Sequence, residues 1–205
     1  MNKKIDIIGY SGHSYVFIDA ANLSGYVIKS YFDLNKKEQN PFNLKYLGVE
    51  SDIKSRNLLF VTIADNSTRK NIISNIIQKD KLQFTIIHPS SIISKFSSIG
   101  FQTFVNSGVI INAKAKIGYG CIINSGSIVE HESEIGDYCH IAPGSVILGS
   151  VTIKEGSFIG ANSVIKQGVS IGRNVIVGAG SVILTDIPDN SIVVGNPGSI
   201  IKKNI

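Results

Sequence analysis

The sequence predicts two architectures in one chain: a small α/β unit built on a parallel sheet, then an all-β parallel solenoid. Three observations carry this. From Ile93 to Ile183 every sixth residue is Ile or Val, sixteen in an unbroken row. Four places after these stand small or β-branched residues, as at Ser127, Ser133, Cys139, Ser145 and Val151. Before about residue 90, apolar strand-like runs alternate with helix-like ones, and the runs end in Gly, Ser, Asp or Asn. A period of six is neither the helix period nor strand alternation, so the repeating unit is a short strand plus a turn. Three units close a triangular coil of eighteen residues, and the row is long enough for about five coils. The large aliphatic side chains fill the centre, and the small residues sit inward near the corners. His88-Pro89-Ser90 marks the boundary, which divides the chain into residues 1–90 and 91–205.

In order, residues 4–9 read as a buried strand that ends in the turn Gly9-Tyr10-Ser11-Gly12-His13. A helix follows from about Ser14 to Leu23, with Val16, Phe17, Ala20 and Ala21 on its apolar face, and Gly25 stops it. A second strand, Tyr26 to Phe32, leads to Asp33, and residues 34–56 read as irregular. Leu58 to Ile63 is a third strand, Ala64-Asp65-Asn66 a turn, Ser67 to Lys79 a helix, and Gln83 to Ile87 a fourth strand. Strand–helix alternation of this kind gives a Rossmann-like parallel sheet, which binds ligands beyond the carboxyl ends of its strands. His88 precedes a proline and is read as structural. After the solenoid, Asp186-Ile187-Pro188 breaks the period, and the tail is expected to fold over the last coil and cover its strand edges.

The chain has 205 residues, 43% hydrophobic and 17% charged, which fits a globular protein. It has no apolar run of membrane-spanning length and no signal-peptide pattern at the start, so the expected compartment is the cytoplasm. The net charge of +5 lies mainly in residues 1–92, with 12 basic and 8 acidic residues against 8 and 7 beyond. No dense basic run interleaved with aromatics argues for nucleic acid. Cys121 and Cys139 stack eighteen residues apart at the small inward position. Their β-carbons then stand a strand spacing apart, beyond the ~3.8 Å of a disulfide, so both are read as buried free thiols.

The chemistry concentrates at Glu130-His131-Glu132, with His140 nine residues after His131. The period puts Val129 and Ile141 inside, so both imidazoles point outward or lie at a corner. Gly149 is eighteen residues from His131, one coil away, with open space and an accessible N–H beside the imidazole. A base next to a bare amide donor suits acyl transfer: one takes a proton, the other holds the thioester oxyanion. Ala161 and Ala179 stack as a column of small residues along which a long ligand can lie. His140 sits on another side of the triangle, so a neighbouring subunit of a homotrimer would bring it towards another chain's His131.

The segments Gly9 to His13, Ala64-Asp65-Asn66, His88-Pro89-Ser90, Asn124 to His140 and Val194-Gly195-Asn196-Pro197 carry a resemblance over nearly the whole chain. It resembles the hexapeptide-repeat sugar O- and N-acyltransferases of the sialic acid O-acetyltransferase (NeuD) family. Within these it looks most like the PglD-like N-acetyltransferases of UDP-4-amino-4,6-dideoxy sugars. The resemblance implies a left-handed parallel β-helix, acetyl-CoA as co-substrate, no metal, and active sites between subunits. It assigns His131 as general base, Glu132 as the carboxylate that raises its basicity, and Gly149 N–H as oxyanion donor. His140, Ala161 and Ala179 would contact acetyl-CoA; Ser11, Gly12, His13, Asp33, Leu34 and Ala64 would line the nucleotide-sugar pocket, and Asn124 would place the acceptor. Ser14, Tyr15 and Leu34 depart from the family pattern, where Gly, a basic residue and an acidic residue are frequent, and Ala64 and Ala179 replace glycines of some relatives. O-acetylation of a sugar such as sialic acid uses the same base and donor and stays open. A three-histidine metal site lacks a third ligand in the solenoid. A non-catalytic nucleotide-sugar sensor would bind without releasing thiol.

Overall fold

In the computed structural model, which describes residues 3–49, 53–76 and 79–204, the six-residue period becomes a three-sided parallel β-solenoid. Each side is a two-residue rung whose second residue points in and whose first points out. Rungs eighteen residues apart pair in parallel, for example Ile128–Val129 with Val146–Ile147. The inward row, from Val105 to Ile183, is buried, with no residue more than 4% exposed. Each such side chain contributes roughly 1.5–3 kcal/mol by leaving water. The small residues at the fourth place are buried as well, and their chemistry explains why serine is tolerated inside. Ser133 Oγ donates to Leu148 O at 2.8 Å, Ser145 to Gly160 O at 2.8 Å and Ser157 to Gly172 O at 2.7 Å. Cys121 and Cys139 are free and buried at the same position.

From Gln102 to Gly180 every corner has one left-handed residue, three places after the inward aliphatic. Gly108, Gly120, Gly126, Gly144, Gly156, Gly168 and Gly180 supply many of these, but Lys114, Glu132, Tyr138 and Ser150 adopt φ of 56° to 63° without being glycine.

The three faces differ in their outward residues. One carries Ile86, Phe104, Ile122 and His140, all buried under the N-terminal unit; we call it the covered face. The second, the aliphatic face, presents Ile92, Ile110, Ile128, Val146, Val164 and Val182 to solvent. The third presents Ser98, Lys116, Glu134, Thr152 and Ser170.

The N-terminal unit is a parallel sheet of β1 (Lys3–Ile8), β2 (Tyr26–Phe32), β3 (Lys45–Tyr46) and β4 (Leu58–Val61) in the order β3-β2-β1-β4, with helices α1 (Gly12–Leu23) and α2 (Asn66–Asn75). Two expectations change. The fourth strand of this sheet is Lys45–Tyr46, inside the stretch read as irregular, where it pairs with Ser30–Tyr31. Ile86–Ile87, read as that fourth strand, is instead the first rung of the solenoid and pairs with Phe104–Val105. Two faces therefore hold six rungs each rather than about five. The reason is that two apolar residues fit a buried sheet strand and a solenoid rung equally well. The far end is closed as expected: Ser191–Val194 pairs in parallel with Ile176–Val177, and Ser199–Lys203 returns antiparallel to it. Among the described residues no helix is long and apolar enough to cross a membrane.

Aromatic packing and one buried cation join the two units. Phe17 of α1 packs edge-on against Phe104 of the covered face at 5.3 Å and against Phe60 of β4 at 4.4 Å. Arg69 of α2, 1% exposed, sends its guanidinium to backbone carbonyls on both sides. On the N-terminal side it donates to Ile63 O at 3.0 Å, Ala64 O at 2.9 Å and the Asn66 side chain at 2.7 Å. On the solenoid side it donates to Gly120 O at 2.7 Å and Tyr138 O at 3.0 Å. Burial lowers its pKa to about 10, which leaves it charged at neutral pH. Replacing Arg69 with Met should strand these carbonyls and cost about 3–5 kcal/mol in urea unfolding, since each unsatisfied buried group costs ~1–3 kcal/mol. Lysine, with three donors and no fork, should recover little of this. A methionine variant within about 1 kcal/mol of wild type would show that the clamp is dispensable.

Candidate active site

The turn after Val129 places His131 at the corner between the aliphatic and third faces. Its imidazole is half exposed, with Nδ1 3.4 Å from Glu132 Oε2. Glu132 occupies the left-handed corner position with φ 60°. Its carboxyl is held below the ordinary range by the hydrogen bond with His131 and by Lys114, 3.4 Å away. The Nε2 atom has no hydrogen-bond partner among the described residues, so with the Nδ1 proton turned to Glu132 it presents its lone pair outward.

Gly149 stands where the column arithmetic put it, and the space beside it is filled by the imidazole itself. A β-carbon built there would lie 2.6 Å from His131 Cε1 and 2.8 Å from Nε2. Ser150 N donates to His131 O at 2.9 Å, which locks the two coils in register. The Gly149 N–H donates to no acceptor among the described residues. An imidazole, a carboxylate and an amide donor without an acceptor among the described residues thus share one corner.

The other residues singled out by sequence fall elsewhere. His140 points out of its coil as expected, but into the N-terminal unit, where it is 7% exposed. Its ring lies 6.2 Å from that of His13 and 5.1 Å from Phe158. Asn124 orients it. The Asn124 Oδ1 accepts from Asn106 Nδ2 at 3.0 Å and Ser125 N at 2.9 Å, so its amide nitrogen is turned to His140 Nε2 at 3.2 Å. The imidazole in turn bonds to the backbone of Ala64. Burial pushes the His140 pKa to about 3, helped by Arg69 and His13 and opposed by the Ala64 bond. Burial, then Arg69, pushes His13 to about 4. Both rings are neutral at physiological pH.

At the carboxyl end of β2, Asp33 accepts from Tyr10 N at 2.9 Å and pairs with Lys37 at 2.9 Å. The turn before α1 is fastened by Ser14, whose Oγ accepts from Ser11 N at 2.8 Å and donates to Ser11 O at 2.6 Å. Gly12 has nothing within 4 Å of a built β-carbon, and Leu34 is 68% exposed. Ser11, Gly12, Leu34 and Ala64 therefore border open space at one rim of the sheet. Ala161 and Ala179 stack at the corner between the covered and aliphatic faces, one side of the triangle away from the His131–Gly149 column.

Sequence reasoning missed Arg69, Asn106 and Gln102. Gln102, 1% exposed, donates to Leu59 O at 2.9 Å and Leu82 O at 3.0 Å, a second tie between the units. Arg69 was detectable in part: it falls four and seven residues before Ile73 and Ile76 on the apolar stripe of α2.

Residues 4–76 match the PglD N-terminal domain family, and residues 114–149 and 150–185 match the bacterial transferase hexapeptide (six repeats) family. No curated protein matches the chain. Among solved structures, the chain is 30% identical to a histidine-to-asparagine variant of perosamine N-acetyltransferase from Caulobacter crescentus in complex with CoA and GDP-perosamine. The match covers 98% of this chain and 97% of that one with a TM-score of 0.88. It is 28% identical to the acetyltransferase domain of PglB from Neisseria gonorrhoeae FA1090 in complex with acetyl coenzyme A, over 98% and 100% of the chains with a TM-score of 0.88. With both units matched over their length and order, the chain belongs to the PglD-like family of hexapeptide-repeat sugar N-acetyltransferases.

Proposed function

We propose that the protein transfers the acetyl group of acetyl-CoA to the 4-amino group of a nucleotide-linked 4-amino-4,6-dideoxy sugar, with His131 as general base. The observation that carries this is the imidazole lying on Gly149 with Nε2 free and Glu132 behind it. UDP is the carrier implied by the sequence resemblance; the Caulobacter neighbour was crystallised with a GDP sugar, so the base is the finest point the assay below must decide.

The reaction then runs as follows. The amine lone pair attacks the thioester carbonyl while His131 Nε2 takes a proton from the nitrogen. The Gly149 N–H donates to the tetrahedral oxyanion, which collapses to the amide as the C–S bond breaks. The imidazolium, stabilised by Glu132, returns its proton to the CoA thiolate. Ser11, Gly12, His13, Asp33, Leu34 and Ala64 hold the nucleotide sugar, Asn124 places its amine, and His140, Ala161 and Ala179 contact acetyl-CoA.

The acting form is a homotrimer packed on the aliphatic face. Six outward aliphatic residues in one stripe are more than a solvated face requires. Three copies meeting on that face would set the His131–Gly149 corner of one chain against the Ala161–Ala179 corner of the next. The base and oxyanion donor of one chain would then act on ligands held by the next. Val146→Asp should give monomers in analytical ultracentrifugation and abolish turnover with the fold retained. A wild-type enzyme active as a 22.1 kDa monomer would refute this arrangement.

Thiol release from acetyl-CoA across UDP-, GDP- and dTDP-linked 4-amino sugars tests the activity and the carrier together. His131→Ala should lower turnover by ~10²-fold or more. Gly149→Ala, whose new methyl must displace the ring, should lower kcat by at least ~10-fold with an unchanged melting temperature. Near-normal turnover in either would remove the assigned base or its geometry.

The neutral His13–His140 pair sets a pH dependence of stability. In the unfolded chain each ring protonates near pH ~6.5, but in the fold only near 4 and 3. The unfolded chain thus binds more protons across that window, and stability falls as pH is lowered through it. Between pH 7 and 4.5 the loss should be on the order of 5 kcal/mol for the two rings together. His140→Gln should flatten this slope in urea titrations; an unchanged slope would mean the ring is protonated in the native state.

A further inference from the structure

The basic excess of the first 92 residues has a definite location. Strands β1, β2 and β4 run parallel and in register, Lys3 opposite Tyr26, Lys4 opposite Val27 and Ile5 opposite Leu58. Their amino ends form one rim of the sheet, and the loops bearing Gly9 to His13, Asp33 and Ala64 form the opposite rim. On the amino rim lies a cleft of about 670 Å³ lined by Lys3, Lys4, Lys29, Arg56 and Lys81, with Val27 and Leu58 as its apolar wall. None of the residues of the proposed catalytic or acceptor sites lines it.

Five cations lining one space repel one another, and the described residues do little to neutralise them. Among the described residues no carboxylate lines the cleft. Lys81 pairs with the exposed Asp80 at 3.6 Å, while among the described residues Lys3, Lys4, Lys29 and Arg56 make no ion pair. The nearest buried acid, Asp6, is 2% exposed and spends its oxygens on neutral donors. It accepts from Ser30 Oγ at 2.5 Å, Ser55 Oγ at 2.6 Å and Asn57 Nδ2 at 3.0 Å. Ser55 and Asn57 flank Arg56, so this buried carboxylate pins both of its neighbours and holds Arg56 at the rim. The cleft is therefore a set of cations on a fixed frame.

We infer that this cleft binds a small, multiply phosphorylated ligand, at a site separate from the acceptor pocket. The charge calls for a polyanion, and Lys and Arg are the side chains that bind phosphate oxygens. A free molecule is favoured over a lipid surface: the space, though shallow and open, falls within the ~300–1,000 Å³ range of small-molecule sites and has an apolar wall for an organic moiety.

Inorganic tripolyphosphate, which lacks base and sugar, is the probe. Calorimetric titration of the full chain should show one saturable site per chain that weakens as salt is raised. The double variant Lys29→Glu, Arg56→Glu should bind at least ~10²-fold more weakly, given the strength of hydrogen bonds to charged groups. Lys29→Gln, Arg56→Gln should do the same to a smaller degree. Thiol release from acetyl-CoA with the accepted amino sugar should be unchanged in both, which separates this site from the catalytic one. Absence of saturable binding, or equal affinity in the variants, would overturn the inference. So would capture of the protein on phosphatidylglycerol vesicles that tripolyphosphate cannot reverse, which would make the cleft a membrane contact.

Discussion

The guanidinium of Arg69 is the constraint on which the working geometry rests. A buried cation costs several kcal/mol unless its donors are satisfied, and here the partners are backbone carbonyls from two separate units rather than a carboxylate. Asp65, the nearest acid, is turned to Thr68 and Ser67 at the head of α2. The bonds can all be made only when the loop after β4 and the corner at Gly120 and Tyr138 are in one relative position. That position seats His13 over His140 and brings the backbone of Ala64 to the His140 ring. Burial is the larger cause that keeps both imidazoles neutral, and the positive charge of the clamp adds to it.

The contrast between the two histidines of the solenoid follows. His131 and His140 have the same residue type and both point out of their coils, yet only His131 is half exposed, with Nε2 free. His140 has Asn124 on one nitrogen and the Ala64 backbone as its other bond, and its basicity is suppressed. His140 is thereby kept neutral, whereas His131 keeps a ring nitrogen open to solvent. What separates them is the face of the triangle each occupies, since one face is roofed and the corner beyond the next is not.

The sequence made the solenoid legible because its period is rigid: one slip would turn the whole inner row to solvent. The same arithmetic placed Gly149 beside His131, since residues eighteen apart must stack. It did not reveal that the ring would lie on the glycine, because side-chain direction at a corner depends on the left-handed backbone of Glu132. That corner rule was itself visible in the glycines at 108, 120, 126, 144 and 156, but the non-glycine members hid it. Arg69 and the burial of His140 were out of reach for a different reason: both depend on how two units dock, and a repeat pattern carries no information on what covers its faces. The strand Lys45–Tyr46 escaped because two residues beside a polar stretch leave no periodicity to read.

A triangular prism offers three faces, and this chain gives each a different surface chemistry. Aromatic and aliphatic residues on the covered face are buried by the N-terminal unit, charged and hydroxyl residues on the third face water, and the aliphatic face shows only Ile and Val. Under the proposed mechanism the reacting groups then have little room except at corners, where the backbone turns and Gly149 N–H has no acceptor among the described residues. Both edges of the aliphatic face are such corners: His131 and Gly149 stand on one, Ala161 and Ala179 on the other. No single chain can close a groove between them, because a rung-wide face separates them. Packing of that face against copies of itself, as proposed, would solve two problems with one contact. It would remove six aliphatic side chains from water, and it would turn two half-sites into one.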